Sequence, residues 1–145
     1  MTQIGTLVLG FTGTRRGMTA KQKVAFARLI ERLEPAAFHH GDCVGADAEA
    51  HAIVRAESAC PIVVHPPVDE ACRARCDGDT VLGPITHFAR NRAIVIACHA
   101  LAAAPVAAQP LDHGGTWYTI RRAIAAGTPV YIIWPDGHET TSPTP

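Results

Sequence analysis

Residues 7–16, with the sequence LVLGFTGTRR, decide the predicted fold of the chain. Leu7 to Gly10 is a short apolar run that ends in glycine, as is typical of a buried strand. The next residues, 10–16, are rich in glycine and threonine and predict a turn. A helical pattern follows the turn, so the stretch predicts the first strand-and-helix unit of an α/β protein.

The alternation of apolar strands and helices continues along the chain. Thr19 is a natural N-cap for the first helix, which Pro35 ends. The pattern then predicts strands at 36–40, 61–65, 100–104 and 129–134, and helices at 46–59, 87–98 and 116–126. Residues 66–84 contain three prolines and two glycines and are predicted to be a long loop. We expect a Rossmann-like, doubly wound, mostly parallel sheet of five strands with helices on both faces.

Composition indicates a single globular domain. Of the 145 residues, 48% are hydrophobic and 18% are charged, so the chain is able to bury its own core. We expect one Rossmann-like domain at 1–136 and a flexible tail at 137–145. The five cysteines lack zinc-finger spacing, no signal peptide is recognisable, and no apolar run is long enough to span a membrane. A cytoplasmic protein without membrane attachment is expected.

The charge balance argues against non-specific binding of nucleic acid. Basic and acidic side chains number 13 each, and the formal net charge is zero. Affinity for the phosphate backbone depends on an excess of basic groups. Binding of single-stranded DNA is kept as an unfavoured alternative, because arginines cluster at 15–16, 90–92 and 121–122.

Two glycine-rich segments are predicted to lie at the ligand-binding edge of the sheet. In doubly wound sheets, ligands bind outside the carboxyl ends of the strands, where the strand order reverses. GFTGTRR at 10–16 and GGTWYT at 114–119 each follow a strand and precede a helix. Glycines let backbone N–H groups approach a phosphate, and a helix N-terminus adds positive potential. An ordinary turn is the alternative for the first segment, and Trp117 or Tyr118 is a candidate for stacking on a base.

A third segment, HHGDCVGAD at 39–47, follows the second strand. Its Asp42 and Asp47 are candidates for binding a ribose hydroxyl, and capping of the next helix is the alternative for Asp47. A metal site would draw on four residues, and it is not favoured because neighbouring side chains of a strand point to opposite faces. Those four residues are His39, His40, Asp42 and Cys43.

The fourth segment is RNR at 90–92, in the first turns of a helix. Arg90 and Arg92 do not share a helix face, so at most one of them is expected to reach the ligand together with Asn91. An arginine in this place is able to hold a phosphate through two hydrogen bonds. A solvated arginine pair on the helix surface is the alternative.

These four segments, in this order, resemble the SLOG superfamily. GFTGTR at 10–15, HGDxxGAD at 40–47, RNR at 90–92 and GGT at 114–116 carry the resemblance, which covers nearly the whole chain. The superfamily joins the Rossmann domain of DNA-processing protein A, the Lonely guy nucleotide phosphoribohydrolases and small YpsA-like proteins. The resemblance implies a pocket for nucleotides or nucleoside phosphates, in which the first and last of these segments hold the phosphate.

One catalytic position departs from the phosphoribohydrolase pattern. Those enzymes carry the segment Pro-Gly-Gly-x-Gly-Thr-x-x-Glu, whose glutamate supports cleavage of the N-glycosidic bond. Gly115 and Thr116 match this segment, whereas Thr119 occupies the glutamate position. Threonine cannot act as a carboxylate base. If the chain is an enzyme, the candidates to replace the glutamate are Asp42, Asp47 and Asp112.

The sequence therefore predicts a sensor or accessory module that binds a nucleotide or nucleotide-derived phosphate ligand. The alternative is a hydrolase or transferase that acts on the N-glycosidic bond of nucleoside monophosphates. No metal ion or cofactor is predicted, and a homodimer is expected because superfamily relatives commonly pair and the apolar region at 93–108 offers a surface. The predicted ligand-binding residues are Gly10, Thr12, Gly13, Thr14, Arg15, Gly41, Asp42, Gly45, Asp47, Arg90, Asn91, Gly114, Gly115 and Thr116.

Overall fold

The computed structural model of the protein describes residues 6–142. Within this range, four helices cover a single sheet of seven strands. The strands are β1 (Val8–Gly13), β2 (Ala37–His40), β3 (Ile62–Val64), β4 (Thr80–Val81), β5 (Ala100–Ala104), β6 (Val130–Ile133) and β7 (Glu139–Ser142). The helices are α1 (Ala20–Leu33), α2 (Ala46–Glu57), α3 (His87–Ala97) and α4 (Gly115–Ala125).

The sheet has the strand order β4-β3-β2-β1-β5-β6-β7. All neighbouring strands run parallel except β6 and β7. The chain builds outward from β1 to β4, returns to place β5 on the other side of β1, and then builds outward to β7. The strand order therefore reverses between β1 and β5, and the predicted Rossmann-like, doubly wound sheet is confirmed.

The predicted number of five strands is wrong, because a short strand is added at each edge of the sheet. β4 lies inside the predicted loop at 66–84 and pairs with β3. β7 lies inside the predicted tail at 137–145 and pairs with β6, with Ile133 opposite Glu139. Neither strand has the apolar alternation that marks a half-buried strand, so the hydrophobic pattern does not reveal them. Residues 143–145 of the predicted tail lie outside the described residues.

Strand β1 is also longer than predicted, since it continues through residues 11–13 instead of turning at Gly10. Thr12 and Gly13 pair with Ala103 and Ala104 of β5, and this tertiary pairing outweighs the local preference of glycine and threonine for a turn. Gly13 is required at the end of the strand, because a Cβ there would lie 2.6 Å from the Cβ of Ala46. The first turn of α2 is thereby brought close to the carboxyl end of β1.

Each face of the sheet has its own apolar core. On one face, Phe11 of β1 and Phe38 of β2 pack with Phe26 of α1, with ring centroids 5.2–6.1 Å apart. On the other face, buried residues of α3 and α4, including Ile94 and Ile120, pack on β5 and β6. The two pairs of helices thus cover opposite faces, as predicted. Within residues 6–142, no helix combines the length and apolar character needed to cross a membrane.

The predicted N-cap at Thr19 is confirmed. Its Oγ1 accepts a hydrogen bond from the Gln22 backbone N–H at 3.0 Å, and the Gln22 side chain accepts one from the Thr19 backbone N–H at 2.9 Å. The Thr19 hydroxyl also donates to the Pro135 carbonyl at 2.7 Å. This reciprocal arrangement is a capping box that also ties α1 to the turn after β6.

We expect Thr19→Ala to lower the free energy of unfolding by about 1–2 kcal/mol, because it removes both the cap and the bond to Pro135. Thr19→Ser keeps the hydroxyl and should retain most of the stability. Urea denaturation followed by circular dichroism measures both variants. Equal stability of Thr19→Ala and the parent protein would contradict this account of the cap.

Candidate functional site

A cleft of about 390 Å³ opens at the carboxyl edge of the sheet, where the strand order reverses. Its walls come from the four segments that the sequence had pointed to and from the loop before α4. The predicted ligand-binding residues that line it are Thr12, Gly13, Thr14, Arg15, Gly41, Asp47, Arg90, Asn91, Gly114, Gly115 and Thr116. The structure brings these residues together, and their contact with a ligand stays a prediction.

Three predicted ligand-binding residues do not line the cleft. A Cβ on Gly10 would lie 2.9 Å from both Ile94 and Cys98, so this glycine allows α3 to pack on β1. Gly45 is the N-cap of α2, and its φ of 90° and close approach to the backbone of Arg15 explain the glycine. Asp42 turns away from the cleft, as described below.

The first turn of α4 presents unpartnered donors to the cleft. Gly114 is the N-cap and has no side chain to bond the free N–H groups, and its φ of 94° favours glycine. The first helical hydrogen bond runs from the Tyr118 N–H to the Gly114 carbonyl at 3.0 Å. The N–H groups of Gly115, Thr116 and Trp117 precede this bond and have no backbone partner among residues 6–142. With no acidic residue in its first turn, the helix N-terminus has the properties of an anion site.

Asn91 adds a side-chain donor next to this turn. It is only 7% exposed, and its Oδ1 accepts a hydrogen bond from Arg90 Nε at 2.6 Å. This bond fixes the orientation of the amide and leaves Nδ2 as the free end. Nδ2 lies 3.8 Å from the position that a Cβ on Gly115 would occupy, and it has no hydrogen-bond partner within residues 6–142. Trp117 Nε1, in the same wall, is a buried donor that also lacks a partner there.

Arg90 lies in the cleft wall and is only 4% exposed. A guanidinium has five N–H donors, and all five already face acceptors within the protein. The acceptors belong to Asn91, Gly41, His65, Cys43 and His87. The bidentate grip on a phosphate that the sequence suggested therefore has no free donors at Arg90. Its positive charge still contributes to the electrostatic potential of the cleft.

Arg15 lies at the mouth of the cleft with His87. Arg15 is exposed, and its Nη2 lies 3.4 Å from both ring nitrogens of His87. Burial, together with the charges of Arg90 and Arg15, lowers the pKa of His87, so its imidazole is neutral at neutral pH. His87 also lines the cleft and was not among the residues predicted to bind the ligand. Its position three residues before Arg90 in α3 was the available signal, because side chains at that spacing share a helix face.

Arg92 and Arg121, two of the other arginines that suggested binding of DNA, do not line the cleft with Arg90. Arg92 is exposed on the opposite side of α3 and donates to the Tyr118 hydroxyl at 3.1 Å. Arg121 donates to the Leu111 carbonyl at 2.9 Å. Of Arg90 and Arg92, Arg90 lines the cleft and Arg92 does not, and the expectation that at most one of them reaches a ligand stays a prediction.

The three candidate catalytic aspartates lie in different environments. Asp42 is 1% exposed, and it accepts bonds from the Cys76 backbone N–H at 2.8 Å and from Arg73 Nε at 3.3 Å. This carboxylate anchors the long loop between β3 and β4 rather than facing a ligand. The Asp112 side chain is 99% exposed, bonds to His113, and lies outside the cleft.

Asp47 is the candidate carboxylate that lines the cleft. It is 6% exposed, and its Oδ2 accepts a hydrogen bond from the Cys43 backbone N–H at 3.1 Å. Burial raises the pKa of Asp47 to about 6, and the nearby charge of Arg90 opposes that rise. At neutral pH the group is therefore still ionised, but it is poorly solvated.

Thr119, at the position of the family glutamate, faces away from the cleft. It is fully buried, and its Oγ1 donates to the Gly115 carbonyl at 2.8 Å, inside α4. It neither lines the cleft nor offers a carboxylate. Residue 119 therefore differs from the phosphoribohydrolase glutamate both in its chemical group and in its position outside the cleft.

The paired histidines of β2 bond to other histidines on opposite faces of the sheet. His39 Nδ1 lies 2.8 Å from His65 Nε2, and His40 Nε2 lies 2.9 Å from His51 Nδ1. Because His40 Nδ1 accepts the Asp42 N–H at 3.0 Å, the neutral ring carries its proton on Nε2. Burial lowers the pKa of His40 to about 3, which keeps the ring neutral.

That proton position argues against a metal ion at His40. His40, His51 and Cys76 have ligand-type atoms within 4.8 Å of one another. However, a protonated Nε2 donates a hydrogen bond and does not ligate a cation. His40 and His51 therefore link β2 to α2 through a hydrogen bond.

Strand order and cleft position together define a Rossmann-like α/β protein with a ligand-sized cleft at the switch point of its sheet. Solved structures share this fold, as the comparison with two of them shows. The molybdenum cofactor binding protein from the phototrophic bacterium Rippkaea orientalis is similar with a TM-score of 0.68 and 16% identity, over 88% of this chain and 76% of its own.

A structural genomics target, TM1055, is similar with a TM-score of 0.61 and 14% identity, over 86% of this chain and 72% of its own. At such identities the likeness shows the fold alone, because one fold supports many functions. No protein family and no curated protein matches the chain.

We expect Asp42→Ala to destabilise the protein by about 2–3 kcal/mol, because it leaves the Cys76 backbone N–H without its acceptor and the half-buried Arg73 without its buried carboxylate partner. The matched variant Asp112→Ala removes an exposed carboxylate and should leave the denaturation midpoint unchanged. Guanidinium denaturation of the two variants measures the difference. Similar stabilities would show that Asp42 does not anchor the loop.

Proposed function

We propose that the cleft binds a nucleotide-derived phosphate ligand, with the phosphate seated on the N-terminus of α4. The observation that carries the proposal is the group of donors there that lack protein partners. They are the first three N–H groups of α4 and Nδ2 of Asn91. Unpartnered donors next to a helix N-terminus are well matched to the oxygen atoms of a phosphate.

The rest of the cleft suits an organic phosphate rather than a bare ion. Part of its wall is apolar and comes from Ile94, Val106, Leu111 and Trp117, against which a ring is able to pack. Arg15 is exposed at the mouth and is free to turn from His87 toward an anion. The position at the switch point is the one at which doubly wound sheets bind their ligands.

The proposed role is that of a sensor or accessory module of the SLOG type. Two lines of support are the order of the four segments along the chain and the neighbouring structure described as a molybdenum cofactor binding protein. Both point to a small-molecule ligand. Thr119, which bonds inside α4, supports binding without the family's N-glycosidic chemistry.

One observation favours a second candidate function, hydrolysis or transfer at the N-glycosidic bond of a nucleoside monophosphate. Asp47 is a buried carboxylate in the cleft with a pKa of about 6, a value suited to acid–base chemistry. Release of free base from a monophosphate, lost in Asp47→Asn, would establish this function. Binding without release of base establishes the leading proposal.

We expect Asn91→Asp to weaken binding of nucleoside monophosphates by about 100-fold in isothermal titration, because it places a negative oxygen beside the phosphate. The variant keeps the oxygen that accepts from Arg90 Nε, so the local structure is retained. Gln109→Glu adds the same charge at an exposed loop position outside the cleft and serves as the control.

The control should bind within about twofold of the parent protein, since screening weakens distant surface charges. Equal affinities of Asn91→Asp and the parent would place the phosphate elsewhere. An equal loss in both variants would show a general charge effect and would also contradict the proposed site.

A further inference from the structure

The two ends of the cleft differ in charge. The α4 end offers free donors and has no acidic residue in its first turn. At the other end, the first turn of α2 contains Asp47 and Glu49, and Asp47 lines the cleft. A helix N-terminus that already has its own carboxylates attracts an added anion less. A second phosphate group is therefore disfavoured at the α2 end.

The Asp47 carboxylate is held in place without being neutralised. The backbone N–H of Cys43 bonds to it, and no ion pair to it occurs within residues 6–142. Asp42, by contrast, is buried against the guanidinium of Arg73. A carboxylate has about four acceptor positions, so Asp47 keeps capacity for further donors.

Keeping an ionised carboxylate buried without a direct ion pair is costly for the folded protein, and the nearby charge of Arg90 offsets only part of that cost. The rise of the Asp47 pKa to about 6 has the same origin, which is burial. Groups that carry such a cost and face a cleft are concentrated at functional sites. The burial of the Asp47 carboxylate in the cleft is explained if the hydrogen-bond donors of a ligand replace the water that it lacks.

The geometry points to a ligand with a single phosphate monoester at the α4 end and hydrogen-bond donors at its other end, which Asp47 accepts. This inference rests on the proposed function, since it assumes a phosphate at α4. Two kinds of donor share the required chemistry, the vicinal diol of a ribose and the N–H edge of a heterocyclic base. The cleft, at about 390 Å³, is at the small end of ligand sites, in agreement with one phosphate.

Calorimetric titration of the parent protein and of Asp47→Asn tests the inference. The probes are inorganic phosphate, AMP, GMP, ADP and GDP. In the parent, the monophosphates should bind more tightly than the diphosphates. Asp47→Asn should weaken the monophosphates by about tenfold or more, as expected for loss of a charge-assisted hydrogen bond, and should not weaken inorganic phosphate.

Folding is controlled in two ways. Asp47→Asn removes a buried charge at nearly constant shape, so its melting temperature at pH 7.5 should equal or exceed that of the parent. Asp136→Asn removes one negative charge in the turn after β6, outside the cleft, and should bind all probes as the parent does.

Binding of monophosphate analogues shows whether the ribose or the base supplies the donors. If the ribose supplies the donors, the parent protein should bind the 2′,3′-dideoxy analogue of AMP more weakly than AMP. Asp47→Asn should bind the two nucleotides equally, because it already lacks the acceptor. If the base supplies them, the same pattern appears with purine riboside monophosphate, which lacks the exocyclic amino group. If each analogue loses as much affinity relative to AMP in Asp47→Asn as it does in the parent protein, the inference is overturned.

The remaining outcomes separate this inference from the proposed function. Unchanged or tighter binding of monophosphates by Asp47→Asn overturns the inference, while the proposed phosphate site stands if Asn91→Asp abolishes binding. Failure of the parent to bind any of the probes overturns the proposed function, and the inference with it.

Discussion

The buried guanidinium of Arg90 connects the segments that form the cleft. Its hydrogen bonds join α3 to the ends of β2 and β3, through the carbonyls of Gly41 and His65. Its bond to Asn91 also fixes which end of that amide is free. A single arginine thus sets the spacing of the cleft walls and the direction of a proposed ligand donor, because planar guanidinium groups bond in fixed directions.

This arrangement separates the charge of the cleft from its hydrogen-bonding groups. Arg90 supplies positive potential without free donors, whereas the first turn of α4 and Asn91 supply donors without charge. The exposed Arg15 is able to supply both. An anion that enters the cleft meets preorganised N–H groups in a weakly solvated place, where such groups act most strongly. These features support the proposed binding of an anionic ligand, and Thr119 offers no carboxylate at the position where the phosphoribohydrolases carry their glutamate.

The sheet, the helices and the four loops could be predicted because each follows from a local pattern: apolar strands, the N-cap at Thr19 and glycine-rich helix starts. Strands β4 and β7 could not, because they are short and polar and form only through pairing at the edges. The roles of the three aspartates depended on partners distant in sequence. Asp42 is paired with Arg73 and Asp112 faces solvent, while Asp47 faces the cleft. No spacing rule distinguishes carboxylates whose environments are set by tertiary structure.

Nuclear magnetic resonance is able to detect the proposed binding of a phosphate by the N-terminus of α4 and Asn91. In a ¹⁵N-labelled sample titrated with AMP, the backbone amide signals of Gly115, Thr116 and Trp117 and the side-chain amide of Asn91 should shift together and saturate. The downfield direction of the backbone shifts should report new hydrogen bonds to the phosphate oxygens. Saturating shifts confined to residues away from α4, with these four signals unchanged, would contradict the account.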